Sequence, residues 1–259
     1  MVDVPDHDHD GGVGAAEQAD TLVLWRAVGQ AELNLVAASG WRAWPPAAPG
    51  RAGFRAVLDR RLAARVSRER IVPAEGAGFV ARFEVERSFI QRYPAGRDGE
   101  PGYLIPARDV TALNDHLVGV ITEEADHRGP VNAEEFAEAE EALGRPLPAA
   151  WRTYLQGASW FRRGWLASGA YVWLNTPHEM LRLHAAWGDG TETHPGMAII
   201  GGDGAREYLV LDLRSDPAPV LLIDATSAGW ESGIRQADDA GALVGRVEDG
   251  DFEFAFEDR

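Results

Sequence analysis

Residues 195–213 read Pro-Gly-Met-Ala-Ile-Ile-Gly-Gly-Asp-Gly-Ala-Arg-Glu-Tyr-Leu-Val-Leu-Asp-Leu. A short apolar run, a glycine turn around Asp203 and a second run of strict alternation predict a β-hairpin. In the second run Leu209, Leu211 and Leu213 point one way, and Tyr208, Val210 and Asp212 the other. Glycines after an apolar strand can also form a phosphate loop, but such loops hand the anion to a helix N-terminus. Here a strand follows, and Asp203 and Glu207 would repel a phosphate. The glycines are therefore read as a hairpin turn.

The rest of the chain sets the surroundings of that hairpin. Its 259 residues suffice for one large or two ordinary domains, and 45% are apolar, as in globular proteins. No apolar run reaches the length of a membrane span, and residues 1–20 lack the basic start and apolar core of a secretory signal. With no cysteine there is neither a disulfide nor a thiolate metal site, and a cytoplasmic location is the expectation. Every basic side chain is Arg.

The net charge of −16 is unevenly spread. Residues 1–20 carry six acids and no base, and 21–130 carry 15 Arg against 13 acids. Residues 131–259 carry 10 Arg against 22 acids, a balance of −12. Such a half disfavours nucleic acid and suits a basic protein partner.

Residues 1–20 read as a disordered acidic tail. Its His7-Asp8-His9-Asp10 alternation could touch a metal, but a floppy tail sets no coordination geometry. Residues 21–28 read as a strand carrying Arg26, and 30–38 as a helix. Trp41 and Trp44 precede the stiff Pro45-Pro46. Residues 54–70 read as a basic amphipathic helix with Phe54, Leu58, Leu62 and Val66 inward. Its outer arginines, interleaved with Asp59 and Glu69 and without stacking aromatics nearby, read as a solvated face. Residues 78–89 alternate as a half-buried strand, 103–106 as a short one, 107–117 as a helix and 117–121 as a last strand. Residues 21–122 then form one α+β domain, and the polar 123–130 form a linker.

The second domain, 131–259, opens on a helix that Asn132 can cap, with Glu135 reaching back and Gly144 closing it. Pro148 starts another helix. Trp160, Phe161, Trp165, Tyr171 and Trp173 then crowd one strand-like segment, either as core or as a recognition surface. Residues 178–187 read as a helix, 220–223 as a strand ending at Asp224, and 225–236 as a loop with Trp230. His178 and His184, six apart, fall on different faces and do not suit a metal site.

Two resemblances follow from these residues. Leu24-Trp25-Arg26-Ala27, the strand from Phe79 to Val85, and Tyr103-Leu-Ile-Pro-Ala-Arg-Asp with Asn114 beyond it resemble small ADP-ribosyltransferase-like toxin domains. That likeness implies Arg26 as an NAD contact and Glu84 or Glu86 as the catalytic acid, although no Ser-Thr-Ser strand follows. Across residues 131–235, Phe136-Ala-Glu-Ala-Glu-Glu-Ala-Leu-Gly, Leu147-Pro148 with Trp151, Tyr154 and Leu155, Ile200-Gly-Gly-Asp-Gly, and a strand ending in Asp224 are similar to the SUKH superfamily. Gln156-Gly157 departs from that family's usual Asn-Gly.

The SUKH likeness implies a mixed, largely antiparallel sheet with packed helices and the 195–213 hairpin at its centre, no catalytic residues and no cofactor. It also implies an immunity protein that binds a toxin, often a nuclease, which agrees with the acidic balance. The expected partner is thus a basic protein toxin, and not nucleic acid or membrane. Candidate contacts are Trp160, Trp165, Trp173, Asp203, Glu207, Asp224 and Trp230. The alternatives are an enzyme in the first domain regulated by the second, or a regulatory scaffold.

Overall fold

A computed structural model describes residues 20–46, 53–96, 101–187 and 190–256. The tail with His7 to Asp10 lies outside them. The chain is α+β, built on one antiparallel sheet of eleven strands.

The first half contributes β1 (Thr21–Val28), β2 (Gly53–Val57), β3 (Ala77–Glu86), β4 (Gly102–Pro106) and β5 (Leu117–Arg128). Between them run α1 (Gln30–Ala38), α2 (Arg60–Val66), α3 (Val72–Glu75), α4 (Arg87–Ile90) and α5 (Val110–Asp115). The second half adds α6 (Ala133–Leu143), α7 (Ala149–Leu155), β6 (Trp160–Trp165), β7 (Tyr171–Leu174), α8 (Pro177–Trp187) and α9 (Gly190–Thr193). It ends with β8 (Met197–Gly202), β9 (Glu207–Asp212), β10 (Val220–Asp224), β11 (Ile234–Ala237) and α10 (Ala240–Asp249). The order across the sheet is β11-β10-β9-β8-β7-β6-β5-β3-β1-β2-β4.

The expected hairpin is β8–β9, with Ile199 opposite Val210. Asp203 Oδ1 accepts the backbone N–H groups of Ala205 and Glu207 at 2.7 and 3.1 Å, and Gly204 supplies the positive φ of +81°. Leu209, Val210 and Leu211 are all fully buried, so both faces of β9 are covered. The hairpin is not central, however. The aromatic-rich β6 holds the middle of the eleven strands.

Several other boundaries differ from the sequence reading. Residues 53–57 are β2, paired with β4, and the helix begins only at Arg60, capped by Asp59. A spacing of four between apolar residues is also a multiple of two, so Phe54 and Leu58 fit either period. The crowded aromatic segment is two strands joined as a hairpin, and 225–236 includes part of β11. Asn132 does cap α6, but Glu135 turns to His178 at 3.4 Å and not to the cap.

The largest correction concerns residues 123–130. Their first six belong to β5, which pairs with β3 on one side and β6 on the other. Glu123 and Asp126 meet arginines of the neighbouring strand, Glu124 meets Arg60 and His127 meets Ser67, so the segment is sheet and not linker. The sheet runs through both halves.

Two cores result. Leu24, Val28, Phe79, Phe83 and Val85 face Leu33 and Val36 of α1, Trp44, and Val110 and Leu113 of α5. The other core begins with Val57, Leu62, Ala63 and Val80 and continues through Ala125 to Phe136, Trp151, Trp160 and Phe252. Burying each large apolar side chain contributes about 1.5–3 kcal/mol. Because α2 sits in the second core, the first half is packed into the second.

Candidate functional site

The junction of β5 and β6 carries the densest polar chemistry in the described chain. Ala125 pairs with Gly164, Asp126 with Arg163 and His127 with Phe161, which leaves Arg162 as a β-bulge. The bulge lets two consecutive arginines reach the same carboxylate. Asp126 is fully buried, with Arg162 and Arg163 each 3.4 Å from Oδ2. Arg128, two residues along the same strand face, donates to Oδ2 at 2.8 Å. Glu179 takes the far side of Arg162, and Glu123 lies 3.2 Å from Arg163. Burial pushes the Glu123 carboxyl up, against the pull of Arg163. A cavity of about 210 Å³ beside this cluster is lined by Trp173, Asn175 and Arg182.

His127 follows Asp126 and so points to the opposite face. It is 2% exposed, and its Nδ1 lies 3.0 Å from Ser67 Oγ. Ser67 opens a π-helical turn, Ser67–Ile71, that continues α2. A single wide turn of this kind often marks a functional position in a helix. Gly78 permits the approach, since a Cβ there would meet Ser67 Oγ at 2.6 Å. Burial, with Arg68 and Arg60 nearby, drives the His127 pKa down to about 3. The imidazole is neutral at physiological pH.

Above His127 opens a cleft of about 940 Å³. Trp25, Val80, Ala125 and Phe161 come from the sheet beneath it, Arg60, Arg61, Arg65 and Arg68 from the α2 side, and Glu248 and Asp249 from the end of α10. Arg68 pairs with Glu248 at 2.6 Å, and Tyr154 donates to the same carboxylate at 2.5 Å. Burial first, and Glu248 second, hold the Tyr154 hydroxyl well above the ordinary tyrosine range.

No family model matches this chain, and no curated protein matches it in sequence.

Arg26 does not meet Glu84 or Glu86. It shares a sheet face with Leu24 and Val28, where it bonds Glu32 at 2.9 Å and the Arg55 carbonyl at 2.7 Å and stacks over Phe54. Glu84 and Glu86 alternate with the buried Phe83 and Val85 and lie on the opposite face, held by Arg82 and His116. The three residues share no cavity.

Of the aromatic candidates, Trp160 is 1% exposed and donates to the Gly129 carbonyl at 2.7 Å, a core residue. Trp165 is 48% exposed, with Tyr171 packed edge-on at 5.3 Å. Trp173 is half-buried. Trp230 lies between His194, 5.3 Å away, and the Arg214 guanidinium, 4.6 Å from its ring.

Asp203, Glu207 and Asp224 come together at one end of the β8–β10 strands, where Glu207 faces Asp224 across the ladder. Arg206 binds Asp224 at 2.8 Å, and the Thr226 hydroxyl and N–H also donate to it. Those hydrogen bonds from Thr226, aided by Arg206, lower its pKa to about 2.

Sequence reading missed Asp126, His127 and Ser67 because it placed the first two in a linker. The available signal was Ala125, which continues the apolar positions of the strand read over 117–121 into that run.

Proposed function

We propose that this chain is a protein-binding module that captures a basic partner through the acidic surface of residues 131–259. In this reading it is a cytoplasmic immunity protein with a SUKH-like second domain, and its partner is a toxin such as a nuclease. The first half would support or extend the binding surface.

The observation that carries the reading is how the arginines of the second half are used. Arg152, Arg162, Arg163, Arg206, Arg214 and Arg235 each pair with a carboxylate of this chain. Arg145 and Arg246 bond to backbone carbonyls instead. Glu134, Glu141, Glu231, Asp249, Asp251 and Glu253 are exposed and, among the described residues, form no ion pair. The charge left facing solvent is therefore negative. Such a surface accelerates encounter with a basic protein, while an exposed aromatic such as Trp165 can anchor the complex.

The test is co-expression with the product of the adjacent reading frame, followed by purification at low and high salt. Retention at low salt and loss at high salt is expected. Neutralising Glu134 and Glu141 to Gln should slow association severalfold while leaving thermal stability unchanged. An adjacent product that does not bind, or binds with no dependence on salt or on these acids, would overturn the reading.

A further inference from the structure

The geometry points to a small-molecule site in the cleft over His127, built for a phosphate group carried on a flat apolar body the size of a mononucleotide. The sequence places the arginines of α2 on a solvated face with no aromatic near them. Folding changes that, because the sheet brings Trp25 and Phe161 beneath the same face. A cleft of about 940 Å³ falls in the size range of ligand pockets.

The groups offered to a ligand are mostly donors. Arg61 and Arg65 are exposed at the cleft and have no side-chain partner among the described residues. The Trp25 indole N–H is buried with no acceptor, which is costly unless something else supplies one. His127 lines the cleft, and with its Nδ1 occupied by Ser67 only Nε2 is left to bond a ligand. When the Ser67 hydroxyl donates to Nδ1, the ring proton sits on Nε2 and makes a second neutral donor. A phosphate supplies several acceptor oxygens on one centre and accepts bidentate contacts from arginine.

The acids of the cleft are partly committed elsewhere. Asp59 accepts the Arg61 backbone N–H as the helix cap, and Glu248 holds Arg68 and Tyr154. Arg60 is bound to the Trp165 carbonyl and lies 3.9 Å from Glu124. Glu69 and Asp249 remain exposed, and their charge favours a ligand that meets the arginines directly over a diffuse anion. The Trp25 and Phe161 rings give the body of such a ligand an apolar seat.

Calorimetric titration of the full chain with AMP, adenosine and inorganic phosphate tests this. AMP should bind, with both fragments weaker. Arg61→Ala and Arg65→Ala should each weaken AMP about tenfold, as loss of a charge-assisted contact does. Both residues are exposed, so the thermal midpoint should not move. Trp25→Phe, which keeps an aromatic ring but removes the indole N–H, should weaken AMP severalfold. The imidazole resonances of His127 should shift on AMP addition. Absence of AMP binding at millimolar concentration would overturn the proposal. So would binding that the arginine variants leave intact, or that does not perturb His127.

Discussion

His127 on β5 and Ser67 in the π-helical turn after α2 are joined by a 3.0 Å contact between Nδ1 and Oγ. It ties β5, the strand next to the middle of the sheet, to the helix that carries the basic face, and it holds an imidazole in nearly complete burial.

That burial makes a pH prediction. His127 titrates at about 3 in the folded chain, against an ordinary value of 6.5. Between these values the unfolded chain binds the proton and the folded chain does not, so acid favours unfolding. The stability at issue is fully present above pH 6.5 and is lost as pH falls toward 3. The slope is at most about 1.4 kcal/mol per pH unit. Denaturant titrations from pH 4 to 7 should show His127→Gln to be less pH-dependent than the parent by up to one proton. Equal slopes would show that the ring is not held neutral.

Asp126 makes the opposite kind of prediction, because its charge is compensated. Asp126→Asn keeps the shape but leaves Arg128, Arg162 and Arg163 around a neutral amide. Breaking a buried ion cluster by removing one member costs about 3–5 kcal/mol. Equilibrium unfolding should show a loss of that size. Arg182→Ala, an exposed arginine 3.8 Å from Glu179, should cost less than about 1 kcal/mol in the same assay.

Gly164 faces Ala125 on β5 with φ at +146°, and a Cβ there would overlap the Glu124 carbonyl. Gly164→Ala must therefore either strain the backbone or push β5 and β6 apart. Overpacking of this kind costs about 1–3 kcal/mol, before any backbone strain is added. Gly245→Ala is the comparison: a Cβ at Gly245 meets nothing within 4 Å and the residue lies inside α10. That change should stabilise the chain by up to about 1 kcal/mol. Thermal midpoints of the two variants should move in opposite directions.

The β8–β9 hairpin and β5 show what a sequence makes legible. The hairpin is encoded locally: alternation, a glycine turn and the Asp203 side chain all act within a few residues. The middle of β5 is not. Asp126 and Glu123 become acceptable in a sheet only because Arg162 and Arg163 arrive from a strand nearly forty residues later, turned toward them by a bulge. The candidate cleft has the same character, since Trp25, His127, Phe161 and the arginines of α2 are distant in sequence. Charge was legible by counting, whereas which arginines are tied up internally was not.

The C-terminal segment offers a test of how far the sheet's edge is protected. Gln236, on the edge strand β11, is 6% exposed, and its amide donates to the Ala255 carbonyl at 2.8 Å and accepts the Ala255 N–H at 2.9 Å. One side chain thus stands in for a backbone pairing and holds residues 251–256 alongside the edge. Phe252, fully buried under Arg246, anchors the start of that segment, whereas Phe256 is 61% exposed. Gln236→Ala removes both hydrogen bonds, a loss of about 1–3 kcal/mol confined to the segment. The expected outcome is faster amide exchange at Ala255 with unchanged exchange in β9. If Ala255 stays protected, the packing of Phe252 and Phe254 holds the segment, and Phe252→Ala should then release it together with α10.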